Sequence, residues 1–500
     1  MEKTKIVVDK EFTLAEIDKR LYGSFIEHLG RAVYEGIYQP GHASADEDGF
    51  RKDTLELVKE LNVPVVRYPG GNYVSNFYWE DSVGPVRKPR LDLAWRTLEP
   101  NDFGLGEFAK WAKKADTEIM MALNLGTRGV TDALNLLEYC NLDADSYYAD
   151  MRRSHGRKEP YDIKLWCLGN EMDGPWQVGH KTAEEYGRLA AETAKAMKFM
   201  DPSIELISCG SSTGTMDTFP MWEETTLTED YDYVDYISLH SYYGNSANDT
   251  EDFFASADDM DSFINTVTCA CDFVKAKKRS KKTMKLSFDE WNVWFHQIAS
   301  DEDDMAKKPW RKAPHLLEDH YDYEDAIMDG LLLITLINHS DRVRMACLAQ
   351  LVNVIAPIMT ETDGKAWRQT IFYPFMQASC YGRGTALHVV SHGGTHSTSK
   401  HENVTDIKSA AVWNKEKDEV TIFAVNRHIK EAVTFEADMR SFEGYRVIEY
   451  TAIEGNDMLA VNDADNERVK PCEKTDWKMD GGIFSTVMKP ASWNVIRFGK

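Results

Sequence analysis

The chain has 500 residues, 43% of them hydrophobic and 28% charged, the balance of ordinary soluble globular proteins. That length exceeds what one hydrophobic core usually fills, so a large domain and a smaller one are expected. A formal net charge of -24 argues against nucleic acid and anionic membrane surfaces as partners, because both reward Lys and Arg, and it suits a neutral substrate.

The first residues, MEKTKIVVDKEFTLAEIDKR, are charged throughout and lack the apolar stretch of a secretory leader, so a cytoplasmic protein is expected. Within them Thr4–Val8 reads as a strand. From about residue 20 to 375, short apolar runs alternate with helix-period stretches. The runs are Arg20–Ile26, Val63–Arg67, Glu118–Asn124, Ile163–Leu168, Glu205–Ser208, Tyr236–His240, Lys285–Asp289 and Met345–Leu351. The helical stretches include Thr54–Leu61, Phe103–Lys114, Ala183–Met200 and Ser262–Lys278. Strands alternating with helices argue for parallel βαβ units, and eight of them close a (β/α)8 TIM barrel. The longest strongly apolar run, near Leu331 to Ile337, is far too short to span a membrane.

After about residue 380 the texture changes. Lys408–Trp413, Glu419–Asn426, Glu431–Glu436, Tyr445–Thr451 and Ser492–Phe498 read as strands parted by turn residues, a β-sandwich pattern. The expected organisation is an α/β chain: a catalytic barrel over 18–378 and a jelly-roll-like all-β sandwich over 379–500, joined by the N-terminal strand in 1–17. The eight cysteines include no CxxC pair and read as free thiols.

In such a barrel, chemistry collects at the C-terminal ends of the strands. Unusual polar residues recur there: Glu27 after the first strand, Arg67 and Asn72 at the second, Asn170 and Glu171 at the fourth, His240 and Tyr242 at the sixth, Glu290 at the seventh and Gln350 at the eighth. A lone Glu after a strand is usually a helix cap or a solvated loop residue, but this many matching strand ends is hard to assign to chance. The interval from Glu171 to Glu290 corresponds to three βα units of roughly 40 residues, which sets the two across the barrel mouth from each other. Two carboxyls flanking one bond is the arrangement of glycoside hydrolysis.

Neighbouring residues suggest the roles. Asn170 offers an amide to a sugar hydroxyl beside the reacting carbon, Glu171 serves as general acid and then base with a raised pKa, and Glu290 is ionised with Tyr242 donating to it. Asp289 points to the opposite face if strict alternation holds, and is read as structural. Trp95 and Trp294 are candidates for stacking on a sugar ring, whereas Trp176 and Trp291 read first as packing. Two carboxyls supply acid, base and nucleophile, so no cofactor and no metal are expected.

Other motifs carry less. His315 and His320, with Glu318, Asp319 and Asp322, read as a helix start with solvated acids rather than metal ligands. The basic run Lys275 to Lys282 complements the end of a helix. The glycine-rich Ser391 to Ser397 lacks the spacing of a phosphate loop. From the residues alone, two alternatives stay open. One is β-glucanase or β-xylosidase activity on the same scaffold; the other is a non-catalytic sugar-binding protein, against which the intact carboxyl pair argues.

The segments RYPGGNYVSNFYWEDSVGP, WCLGNEMDGPWQVGH, ISLHSYYGN and FDEWNVW together resemble glycoside hydrolase family 51, the α-L-arabinofuranosidases. The resemblance runs from GSFIEHLGRAVYEGIY at Gly23 to the C-terminal strands. It implies a barrel with a C-terminal sandwich and an exo-acting, retaining enzyme that removes terminal arabinofuranosyl units from arabino-oligosaccharides, arabinan or arabinoxylan. It implies Glu171 as acid/base, Glu290 as nucleophile, sugar contacts from Glu27, Asn72, Asn170 and Gln350, Tyr242 beside the nucleophile, and support from Arg67 and His240. It also implies a homo-oligomer, often a hexamer, and makes His28, Glu35 and Tyr38 structural. Asn76, Phe77 and Ser82 depart from the family's SGYxWxDGVGP. Residues other than glycine at 76 and 82 are expected to restrict the backbone and to bear on subsite shape and linkage preference.

Overall fold

The computed structural model describes residues 2–500. Eight short, mostly apolar runs form parallel strands: β1 (Gly23–Phe25), β2 (Val65–Tyr68), β3 (Glu118–Ala122), β4 (Leu165–Leu168), β5 (Glu205–Ser208), β6 (Tyr236–Tyr243), β7 (Lys285–Val293) and β8 (Val343–Leu348). They pair in order, and β8 pairs with β1 to close the barrel. One principal helix follows each strand: α1 (Lys52–Leu61), α2 (Leu105–Ala115), α3 (Val130–Asn141), α4 (Ala183–Met200), α5 (Met221–Asp230), α6 (Ala257–Lys278), α7 (Tyr323–Asn338) and α8 (Phe372–Tyr381). The start of α4 shows why sequence places it: Thr182 and Glu185 form a reciprocal capping box.

Inward-facing Phe25, Val65, Met120, Leu165, Cys167, Ile207, Tyr236, Met345 and Cys347 fill the barrel centre. The plug leaves only the strand ends open to polar chemistry. β6 and β7 run past the expected ends to Tyr243 and Val293, because the polar residues there keep pairing: His240 with Glu290, Ser241 with Trp291 and Tyr242 with Asn292. Their apolar signal stops early only because their side chains face the mouth.

The C-terminal strands form two sheets. Glu2–Val7 runs parallel to Val433–Asp438 in a five-stranded sheet, and Thr13–Glu16 pairs with Thr385–Leu387 at one edge of a seven-stranded sheet. Ile6, Ile422, Phe435, Phe484, Ile496 and Phe498 belong to the core between them.

α7 joins barrel and sandwich. It is buried from Tyr323 to Ile337, with acids confined to Glu324, Asp325 and Asp329 and an apolar second half, and it touches Ile407–Asn414, Glu419–Asn426 and Ser492–Gly499. Trp493 lies against Gly330, where an added Cβ would sit 2.5 Å from the indole. The indole stacks on Phe423 and donates to Gln377 Oε1 at 2.8 Å. Trp493→Ala removes a fully buried side chain at this junction and should cost about 3–5 kcal/mol. A clear fall in Tm by calorimetry is expected; an unchanged Tm would mean that the junction contributes no stability.

Candidate active site

β2 leads through Gly70 and Gly71 into the 3-10 turn Asn72–Asn76. A Cβ on Gly71 would lie 3.0 Å from Glu27 Oε2 and 3.3 Å from Glu290 Oε1, so the backbone there presses directly on two carboxyls. Any larger residue there would push those carboxylate ends aside by a few tenths of an ångström. β4 stops because Gly169 and Glu171 take left-handed φ values of 96° and 42°. A glutamate in that region is sparsely populated and persists where its surroundings hold it. The turn lifts the chain off the strand and brings the Glu171 carboxyl back over the barrel.

The candidate residues converge here. Arg67 donates through Nη1 to Glu290 Oε1 at 2.6 Å and through Nη2 to Asn170 Oδ1 at 2.6 Å. The Tyr242 hydroxyl donates to Glu290 Oε2 at 2.8 Å. His240 bonds Glu171 Oε1 through Nδ1 at 3.0 Å and Asp289 Oδ1 through Nε2 at 2.9 Å. Glu27 Oε1 accepts from the Tyr73 N–H at 2.8 Å and from Trp95 Nε1 at 3.0 Å, while the Glu27 N–H donates to Gln350 Oε1 at 2.9 Å. Asn170 Nδ2 donates to Gln177 Oε1 at 3.2 Å and reaches Asn72 Oδ1 at 3.4 Å. Trp294 meets Tyr242 edge-on, with ring centroids 5.2 Å apart. One oxygen of Glu171 lies within 4.8 Å of one of Glu290.

Burial sets the proton distribution. It raises Glu171, the nearby Glu290 charge adds to that, and hydrogen bonds from His240 and Trp176 oppose it. Burial pushes Glu27 up to about 8 against its bonds from Tyr73 and Trp95, with Glu290 and Asp92 adding. For His240 burial favours the neutral ring, but Glu290, Asp289 and Glu171 outweigh it and raise the group to about 10. Burial and the neighbouring carboxylates also hold Tyr242 well above the usual phenol value, so it remains a donor. Glu171, His240 and Glu290 are close enough to surround a cation. An imidazolium with a carboxylate on each nitrogen has no lone pair to offer a metal.

Sequence reasoning misplaced Asp289. Its carboxylate lies inside the barrel against His240, because strict alternation fails along β7. The register slips between Phe288 and Trp291 against β8, and between Ser238 and His240 on β6. Asp289 and Glu290 both turn inward, while Phe288 and Trp291 pack in the outer core. Trp176 was also underread: its half-exposed indole donates to Glu171 Oε2 at 2.6 Å. Its place five residues after the glutamate was the available signal. Trp291 is fully buried.

The other motifs stay apart from this site. His315 pairs with Glu318, His320 packs on Trp367, and Asp322 caps α7. Lys277 and Lys278 at the end of α6 pair with Glu224 and Asp232. Ser391–Ser397 contributes to two short strands, Val390–His392 and Thr395–His396. Asn76 and Ser82 end 3-10 turns, and neither takes the left-handed φ that residues other than glycine disfavour.

Two sequence families match the chain. "Alpha-L-arabinofuranosidase 1 domain" covers residues 57–263 and "Alpha-L-arabinofuranosidase C-terminal domain" covers 289–492. A protein of Acetivibrio thermocellus named intracellular exo-alpha-(1->5)-L-arabinofuranosidase is 62% identical over 100% of both chains. One of the same name from Bacillus subtilis is 55% identical over 100% of both. The solved family 51 α-L-arabinofuranosidase AbfB of Bifidobacterium longum superimposes with a TM-score of 0.95, 44% identity and 100% coverage of both chains. A bifunctional glucanase-xylanase from a metagenome library, 12% identical with a TM-score of 0.58 and 99% coverage of both chains, shares the fold alone.

Glu27 gives a stability test. Its folded value of about 8 exceeds its ordinary 4.5, so the folded state keeps a proton that the unfolded chain releases. The stability tied to that proton is full below about 4.5 and is lost as pH rises through about 8. Tm measured across this range should therefore fall less for Glu27→Gln than for wild type. Parallel curves would refute the shift.

Proposed function

The chain belongs to the α-L-arabinofuranosidases of glycoside hydrolase family 51, and on that premise we propose how its barrel mouth works. The protein is a glycoside hydrolase that removes α-L-arabinofuranosyl residues from the non-reducing end. Arabino-oligosaccharides with (1→5) linkages are the first substrates to test, and the names of the Acetivibrio and Bacillus relatives support that choice. Those names also support action inside the cell. The β-glucanase and β-xylosidase alternative is not favoured. The reading extends to a homo-oligomer, which light scattering would measure.

The observation that carries the mechanism is the carboxyl pair, with oxygens within 4.8 Å of each other. That gap leaves no room for a water between acid and base and supports retention through a covalent intermediate. Glu290 attacks the anomeric carbon. Arg67 and Tyr242 each hold one of its oxygens, which aims the carboxylate and keeps a positive charge beside it. Glu171, raised by burial, gives its proton to the departing oxygen and later takes one from water. Glu27, Asn72, Asn170 and Gln350 hold the furanose hydroxyls, Trp95 and Trp294 border the ring, and His240 orients Glu171. No metal or cofactor enters any step.

Two kinetic outcomes follow. Glu290→Ala should lose at least about 1,000-fold in turnover on every substrate. Glu171→Ala should lose about 10²–10⁴-fold in kcat/KM on oligosaccharides and far less on aryl arabinofuranosides whose leaving group needs no proton. Equal losses on both substrate types would refute the acid role. The Trp176 bond favours ionised Glu171, so Trp176→Phe should move the alkaline limb of kcat/KM up by about 0.4–1 pH unit. An unmoved limb would make Trp176 a packing residue only.

A further inference from the structure

A second convergence of ligand-type side chains lies in the C-terminal domain. His396 Nδ1 and His428 Nε2 each sit 3.0 Å from Asp406 Oδ1. All three atoms lie within 4.8 Å of one another. The two imidazole rings face each other obliquely, centroids 4.5 Å apart. Asp406 is fully buried beneath them, and the two rings keep 18% and 15% side-chain exposure, so the group is reachable from solvent.

The three residues come from separate segments that the fold ties together. His396 pairs with Val404 across a short hairpin. The Asp406 N–H donates to Gly394 O at 3.1 Å, and the Arg427 N–H donates to Asp406 O at 2.9 Å. His428 is held by its own N–H to Asn426 Oδ1 at 3.1 Å and by the Ala491 N–H to its carbonyl at 2.6 Å. Beside it, Arg427 spans from Thr405 O at 2.8 Å to Asp258 of α6 at 2.8 Å. Ligand positions fixed this firmly from several elements are what a preorganised metal site requires.

We propose that His396, Asp406 and His428 form a structural site for a divalent transition metal of the zinc class. Zinc takes His nitrogen and carboxylate oxygen at about 2.0–2.2 Å in a tetrahedral shell, so its ligand atoms stand about 3.3 Å apart. The two 3.0 Å separations need shifts of only a few tenths of an ångström, and the two nitrogens lie within 4.8 Å of each other, to be drawn to the same spacing by the ion. Two imidazoles and one carboxylate favour zinc over magnesium or calcium, and a water completes four-coordination. The contrast with His240 is one of chemistry. There the two nitrogens of one ring meet two different carboxylates, whereas here nitrogens of two rings converge on a single oxygen. A bound metal would pin the hairpin to the strand end at Asn426 and, through Arg427 and Asp258, tie the sandwich to α6.

The test uses the full-length enzyme, stripped with a chelator and titrated with zinc chloride and, separately, cobalt chloride. One zinc per chain, a Tm raised by about 2–4 °C and the visible absorption of four-coordinate cobalt are expected. His396→Ala and His428→Ala should each lose the cobalt band and the Tm rise while hydrolysing substrate as wild type does. No cobalt band in wild type would overturn the proposal, whether or not the variants fold. So would a band that persists in both variants; metal that blocks hydrolysis in wild type and variants alike would place it at Glu171 and Glu290 instead and overturn the proposal too.

Discussion

The buried Arg67 guanidinium is the constraint on which the barrel mouth depends. It is 1% exposed, and a cation taken that far from water costs several kcal/mol unless it is paired. Its two amino groups face Glu290 and Asn170, its edge approaches Asp289 and its plane lies 4.8 Å from the Phe25 ring. These contacts offset the cost and also fix where the proposed nucleophile and the amide beside Glu171 stand. Stability and reactivity thus rest on the same side chain.

Charge balance then divides the labour. Glu27, Glu171, Asp289 and Glu290 crowd one buried cluster that holds two cations, Arg67 and His240. Four anions cannot all persist there. Burial raises Glu27 and Glu171, whereas Glu290 keeps the guanidinium. Two identical carboxyls thus meet different surroundings, as the proposed division into acid and nucleophile requires. The cost is irregular backbone: the left-handed Glu171, the shifted register of β7 and a glycine packed tightly against Glu27 and Glu290. Irregularity gathers at the mouth because the regular, apolar barrel below holds it in place.

Much of this was legible in the sequence, for physical reasons. β5, α4 and the strand Glu419–Asn426 fall on the expected residues, since their periodicity and caps are local signals. Strand-end position alone was enough to select Arg67, Asn170, Glu171, His240 and Glu290, because a barrel exposes polar groups only there. What depends on departures from regularity stayed hidden. The ends of β6 and β7 were cut short where apolar residues gave way to polar ones facing the mouth. Asp289 was assigned the wrong face because a register slip has no signature in composition. Trp176 reaches Glu171 only because Glu171 is itself left-handed and a turn closed by the Gly174 N–H on Glu171 O follows it, which the pattern GNE does not announce.

The central claim is that Glu290 forms a bond to the sugar while Arg67 and Tyr242 hold it in line. The most direct measurement is covalent trapping with a 2-deoxy-2-fluoro-arabinofuranosyl donor bearing an activated leaving group, followed by intact-mass analysis and peptide mapping. The account predicts one glycosyl adduct per chain, carried by Glu290. An adduct on another carboxylate, or turnover with inverted configuration and no adduct, would contradict it.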